Sequence, residues 1–148
     1  MFSFLKKIFG STNDKTEHEL ISTLKNDHKN LIKLYKNVED YLQKDDFVST
    51  KKELKKFVSL YNRHILLEDT QLYISLEEKY KEQKQILKTI KSISKDMNSI
   101  TRAITFFEKK YPSINSENKE MFLEEFREIG KILLDRVDLE EERLYTLL

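Results

Sequence analysis

Five residues of this chain sit on helical apolar stripes yet carry groups that bind protons or metals: His28, His64, Glu68, Arg136 and Glu140. His28 falls four after Leu24 and three before Leu31. His64 falls three after Tyr61, and Glu68 follows four later, so the pair shares one helix face. Arg136 falls three after Leu133, and Glu140 four after Arg136. Buried charges and imidazoles cost free energy unless they are paired or metal-bound. Two chemistries fit. Imidazole nitrogen and carboxylate oxygen at i, i+4 chelate iron, manganese or zinc from a helix. Alternatively the residues form a buried polar network, with Arg136 bonded to Glu68 and to Glu140 or Glu141 and the histidines as hydrogen-bond partners. The third histidine, His18, lies about 80° around the helix from His28 and reads as a solvated surface residue. Tyr73 and Tyr145 read as aromatics at the core edge rather than as phenolate ligands.

The elements that position these residues follow from periodicity. Thr16 and Glu19 suit a capping box that opens a first helix with Leu20, Leu24, Leu31, Tyr35, Val38 and Leu42 on its stripe. Lys44-Asp45-Asp46 marks a polar break. A second helix carries Leu54, Phe57, Tyr61, Leu72 and Leu76, and the run from Glu77 to Lys84 turns the chain or extends a helix into solvent. The third stripe is Ile86, Ile90, Ile93, Met97, Ile100, Ile104, Phe107 and Tyr111, stopped by Pro112. Asn115 or Ser116 suits the cap of a fourth helix with Phe122, Phe126, Ile129, Leu133, Leu144 and Leu147 inward. Gly130 falls inside that helix, where close helix packing accounts for it. Four amphipathic helices with short connections predict an all-α, antiparallel up-down-up-down four-helix bundle over residues 16–148. A shift of 72 residues aligns His64, Glu68, Leu72 and Tyr73 with Arg136, Glu140, Leu144 and Tyr145, which suggests two related helical hairpins.

Residues 1–15 form a separate segment and linker. Phe2, Phe4, Leu5, Ile8 and Phe9 share one side of a short amphipathic turn, opposite Ser3, Lys6 and Lys7. It is too short to span a bilayer and lacks a small-residue cleavage site. It reads either as a flap on the bundle or as a contact for a membrane surface or a partner. Composition narrows the classes further. Among 148 residues there are 2 glycines and 1 proline, too few for a many-stranded sandwich or barrel. No cysteine is present, which excludes disulfides and thiolate metal sites and points to the cytoplasm. With 27 basic against 26 acidic residues, the broad basic footprint of a nucleic-acid binder is missing.

Asp27-His28, His64-x-x-x-Glu68 and Glu140-Glu141-x-x-Leu144-Tyr145 resemble the hemerythrin-like domain, a bundle with a histidine- and carboxylate-bridged di-iron site. The resemblance implies His28, His64 and Glu68 as metal ligands, with Glu141 as the fourth-helix bridging carboxylate and Glu140 as its near alternative. It also shows departures. The third-helix histidine positions read Met97 and Thr101, and the fourth-helix histidine position is Arg136, whose guanidinium cannot bind a metal. Separately, Ile129-Gly130 through Arg136 to Leu139-Glu140-Glu141 resembles the C-terminal helix of the regulator of sigma D family, anti-sigma bundles that bind a sigma factor.

Together these readings lead to a non-enzymatic bundle with a degenerate metal site, serving as a cytoplasmic protein-binding or regulatory module. The expected partner is a protein, a sigma factor by resemblance, and not a nucleic acid. The expected cofactor is none; the alternative is an iron protein, with one or two ions, for oxygen, redox or iron sensing. No nucleophile–base pair, phosphate loop or zinc-hydrolase motif supports an enzyme.

Overall fold

A computed structural model describes residues 14–148 of the chain, and the expectations for Phe2, Phe4, Leu5, Ile8 and Phe9 lie outside them. Helix α1 spans Asp14–Gln43, α2 Phe47–Leu67, α3 Tyr73–Lys79, α4 Lys84–Lys110 and α5 Lys119–Leu139. A π-helical turn over Glu68–Leu72 joins α2 to α3, so the two form one long rod. A second π turn over Glu140–Leu144 extends α5 and passes into a 3₁₀ turn over Tyr145–Leu147. The rods pack α1 on α2, α3 on α4 and α5 against both α1 and α4, which is the predicted all-α four-helix bundle. Among the described residues no helix is long and apolar enough to cross a membrane.

The connections follow local chemistry. Asp45 adopts φ 57° at the tight turn after α1. Asp46 then caps α2, its side chain accepting a 3.1 Å bond from the Ser49 N–H; that bond holds its carboxyl below the usual range. Two expected helix starts differ. α1 is already helical at Asp14, ahead of Thr16, so the capping box does not open it. α5 begins at Lys119 because the Asn115 side chain accepts the N–H groups of Glu117 and Asn118 and holds a preceding turn instead.

The interior has three levels. One end is an aromatic-rich core with Leu54, Phe57, Tyr61, Phe107, Phe122 and Phe126. The other end is smaller and aliphatic, built on Leu24, Leu72, Leu76, Ile90 and Leu144. Between them α1, α2 and α5 change from apolar to polar residues, burying Asp27, His28, His64, Glu68, Arg136 and Glu140. α4 crosses this level between Ile93 and Met97 and gives it no polar group.

Gly130 on α5 lies directly against Tyr35 of α1. The Tyr35 ring stacks on Phe126 with centroids 4.3 Å apart, and its hydroxyl donates to the Phe126 carbonyl. A Cβ on residue 130 would stand within 2.6 Å of three atoms of that ring. Alanine is ordinarily favoured over glycine in a helix by about 1 kcal/mol. Here overpacking outweighs it: Gly130→Ala is expected to destabilise by about 1–2 kcal/mol in chemical denaturation. In a Tyr35→Ala background the same change is expected to stabilise by up to about 1 kcal/mol. Equal effects in both backgrounds would show that the ring does not set the constraint.

Candidate metal centre

Four donors converge from three rods. His28 on α1, His64 on α2, Glu68 at the start of the first π turn and Glu140 at the start of the second each offer one ligand atom, all within 4.8 Å of one another. His28 Nε2 stands 2.9 Å from Glu140 Oε1. His64 Nε2 stands 3.5 Å from Glu68 Oε2 and 3.7 Å from Glu140 Oε1. Ligands about 2.1 Å from a common ion stand about 3.0–3.5 Å apart, so these separations fit a single cation. All four residues are buried.

Outer carboxylates orient both imidazoles. His28 Nδ1 lies 2.7 Å from Glu141 Oε2, and His64 Nδ1 lies 3.1 Å from Asp27 Oδ2. These outer carboxylates fix the ring orientations and turn each Nε2 toward the cluster, the arrangement that supports metal-binding histidines. Two buried atoms in the layer have no hydrogen-bond partner, His64 Nε2 and Glu68 Oε1. Such atoms are rare because each forfeits hydration without replacement. The donor set therefore fits a cation.

The titration behaviour reflects crowding of opposite charges. Burial opposes charging His64, but the nearby carboxylates of Glu140, Glu68 and Asp27 prevail and push its pKa up to about 10. Burial likewise opposes ionising Glu140; the bond to His28, the His64 imidazole nearby and the charge of Arg136 prevail and hold its carboxyl far below the usual range. For Glu68 burial prevails, and its pKa is raised.

Arg136 stands behind the donors rather than among them. Its Nε donates to Glu140 Oε2 at 3.0 Å, and a terminal nitrogen donates to the Tyr73 hydroxyl at 2.9 Å. Glu140 thus gives one oxygen to the guanidinium and turns the other toward the histidines. The expected bond from Arg136 to Glu68 is not formed; Glu68 Oε2 instead accepts from the Tyr145 hydroxyl at 2.8 Å. The resemblance aligned Glu141 with the bridging carboxylate, but Glu140 holds the inward position. Glu141 is rotated by one residue and reaches the outer nitrogen of His28 from a partly exposed site. His18 is exposed, as expected of a surface residue.

Two site members were not expected. Asp27 lies one residue off the stripe of α1, and only the packing of α1 on α2 brings it to His64. Tyr145 reads from periodicity as a core-edge aromatic, since residues five apart in an α-helix point about 140° apart. The π turn adds a residue to that turn, closing with the Tyr145 N–H on the Glu140 carbonyl, and brings Tyr145 onto the same face as Glu140. The segments aligned by the 72-residue shift both leave α geometry at the aligned glutamate, Glu68 and Glu140.

A cleft of about 360 Å³ between α1 and α5 runs to this layer. Leu31, Tyr35, Phe57, Met97 and Val137 line it, and His28, His64 and Glu140 close its inner end. Met97, at a position where the resemblance expects a ligand, is thus an apolar part of the cleft wall.

No curated protein and no solved structure matches the chain. A family model for the hemerythrin HHE cation binding domain matches residues 19–148, which spans the entire bundle and every donor described above. The chain therefore belongs to the hemerythrin HHE cation-binding domain family.

Proposed function

We propose that this bundle is a non-enzymatic metal-binding module that holds a single cation, iron by family, on His28, His64, Glu68 and Glu140, with Arg136 as a fixed positive charge beside them. The observation that carries this reading is the pair of buried, unpartnered atoms, His64 Nε2 and Glu68 Oε1, within a set of converging donors. Asp27 and Glu141 orient the imidazoles, and Arg136 engages the outer oxygen of Glu140 while the inner one faces His28 and Tyr145. Bound iron would supply a one-electron redox couple, and the apolar cleft would restrict its access to water and small molecules. That combination suits sensing of redox state, oxygen or iron.

A second reading is a metal-free regulatory module in which the same layer serves as a polar network. It is favoured by the hydrogen bonds that already join His28 to Glu140 and Glu141, His64 to Asp27, and Arg136 to Glu140 and Tyr73. A sigma-factor partner belongs with this reading and rests on the resemblance of the Arg136 helix alone. Co-purification of a sigma factor from native expression would support it, and repeated absence from pull-downs would count against it.

Metal analysis separates the two. Anaerobic loading with Fe(II), followed by desalting, is expected to leave one iron per chain; a blank result would favour the network. Asp27→Asn weakens the orientation of His64, and iron affinity is expected to fall by about 10–100-fold in competition with a chelator. Unchanged affinity would remove Asp27 from the site. Arg136→Ala leaves Glu140 buried beside an empty space, and the metal-free protein is expected to lose about 3–5 kcal/mol in denaturant unfolding. A loss below about 1 kcal/mol would show that Arg136 does not neutralise this layer.

A further inference from the structure

The Tyr145 hydroxyl faces more acceptors than it has protons. It lies 2.8 Å from Glu68 Oε2, 3.1 Å from Glu140 Oε1 and 3.2 Å from His28 Nε2. A phenol donates one hydrogen, and an ionised carboxylate donates none. One proton therefore serves two carboxylate oxygens, with the His28 Nε2 beside them, and a cation at the common focus of the three would satisfy both oxygens. Ligands at right angles about 2.1 Å from an ion stand about 3 Å apart, close to the separations of Tyr145 from these three donors.

We propose that Tyr145 is itself a ligand of the bound iron, its phenolate oxygen completing a five-donor set with His28, His64, Glu68 and Glu140. The inference rests on the metal reading above and adds a ligand to it. Tyr73 stands at the aligned position of the first hairpin, but its hydroxyl is engaged by the Arg136 guanidinium. The two tyrosines are thus divided, one to the fixed cation and one to the donors. Glu68, Glu140 and a Tyr145 phenolate supply three negative charges, which match ferric rather than ferrous iron. Near-parallel stacking of the Tyr145 and His28 rings, 14° apart in plane, fixes the approach of the oxygen.

The test uses the full chain loaded with Fe(II) and then oxidised by ferricyanide. Ferricyanide accepts one electron from the iron; the phenolic O–H bond breaks as the oxygen bonds the ferric ion, and the proton passes to buffer. The expected result is a visible phenolate-to-iron charge-transfer band, with tyrosinate vibrations enhanced when Raman excitation falls within it. Tyr145→Phe should bind iron more weakly and lose the band, while Tyr73→Phe should keep it. Should Tyr145→Phe fail to fold, the Raman spectrum of the unaltered protein still decides whether a tyrosinate is bound. Iron bound without the band, or a band that survives Tyr145→Phe, overturns the assignment of Tyr145 and leaves the four-donor site standing. No iron bound at all overturns both.

Discussion

Everything in this bundle is arranged around the cost of placing carboxylates and imidazoles between two apolar cores. Glu68 and Glu140 are almost fully buried, and so is Arg136. A buried carboxylate with no counter-charge would either protonate or unfold its surroundings. Glu140 meets this constraint with both oxygens, one on the Arg136 guanidinium and one toward His28 and His64. Its position is therefore held from two sides, and the other donors are placed relative to it. Two buried atoms of the layer, His64 Nε2 and Glu68 Oε1, are still left without a hydrogen-bond partner.

The helices deliver these groups through two deviations from regular geometry. Both π turns start at an inward glutamate and close on a tyrosine N–H, Tyr73 in the first hairpin and Tyr145 in the second. Each turn lets a glutamate and the tyrosine five residues on share the interior, which an α-helix forbids. The hairpins then exchange partners: Tyr73 bonds Arg136 of the second, and Tyr145 bonds Glu68 of the first. Where the hairpins differ, histidine stands in one and arginine in the other, and the centre becomes lopsided. The donors gather on the His64 side, while the guanidinium occupies the Arg136 side.

Much of this was legible in the sequence. The four rods and their buried stripes follow from apolar spacing, because burial of one helix face is a strong and periodic signal. His28, His64, Glu68, Arg136 and Glu140 stood out because polar residues on such stripes demand a reason. Three things were not legible, each for a physical cause. Asp27 sits off its stripe and becomes visible only when α1 packs on α2. Tyr145 is displaced by a backbone deviation that no residue type announces. The choice between Glu140 and Glu141 depends on rotation at the entrance to the second π turn, where α periodicity is about to fail. Helix starts were less legible still, since Asn115 and Asn118 bond each other's backbone in a turn ahead of α5.

The central claim is that one cation and one guanidinium share Glu140. Diffraction from crystals grown with iron, recorded at the iron absorption edge, tests it most directly. The account predicts one anomalous peak per chain, among His28 Nε2, His64 Nε2, Glu68 and the inner oxygen of Glu140, with Arg136 still bonded to the outer oxygen. Two peaks, or one peak with Arg136 displaced from Glu140, would contradict it.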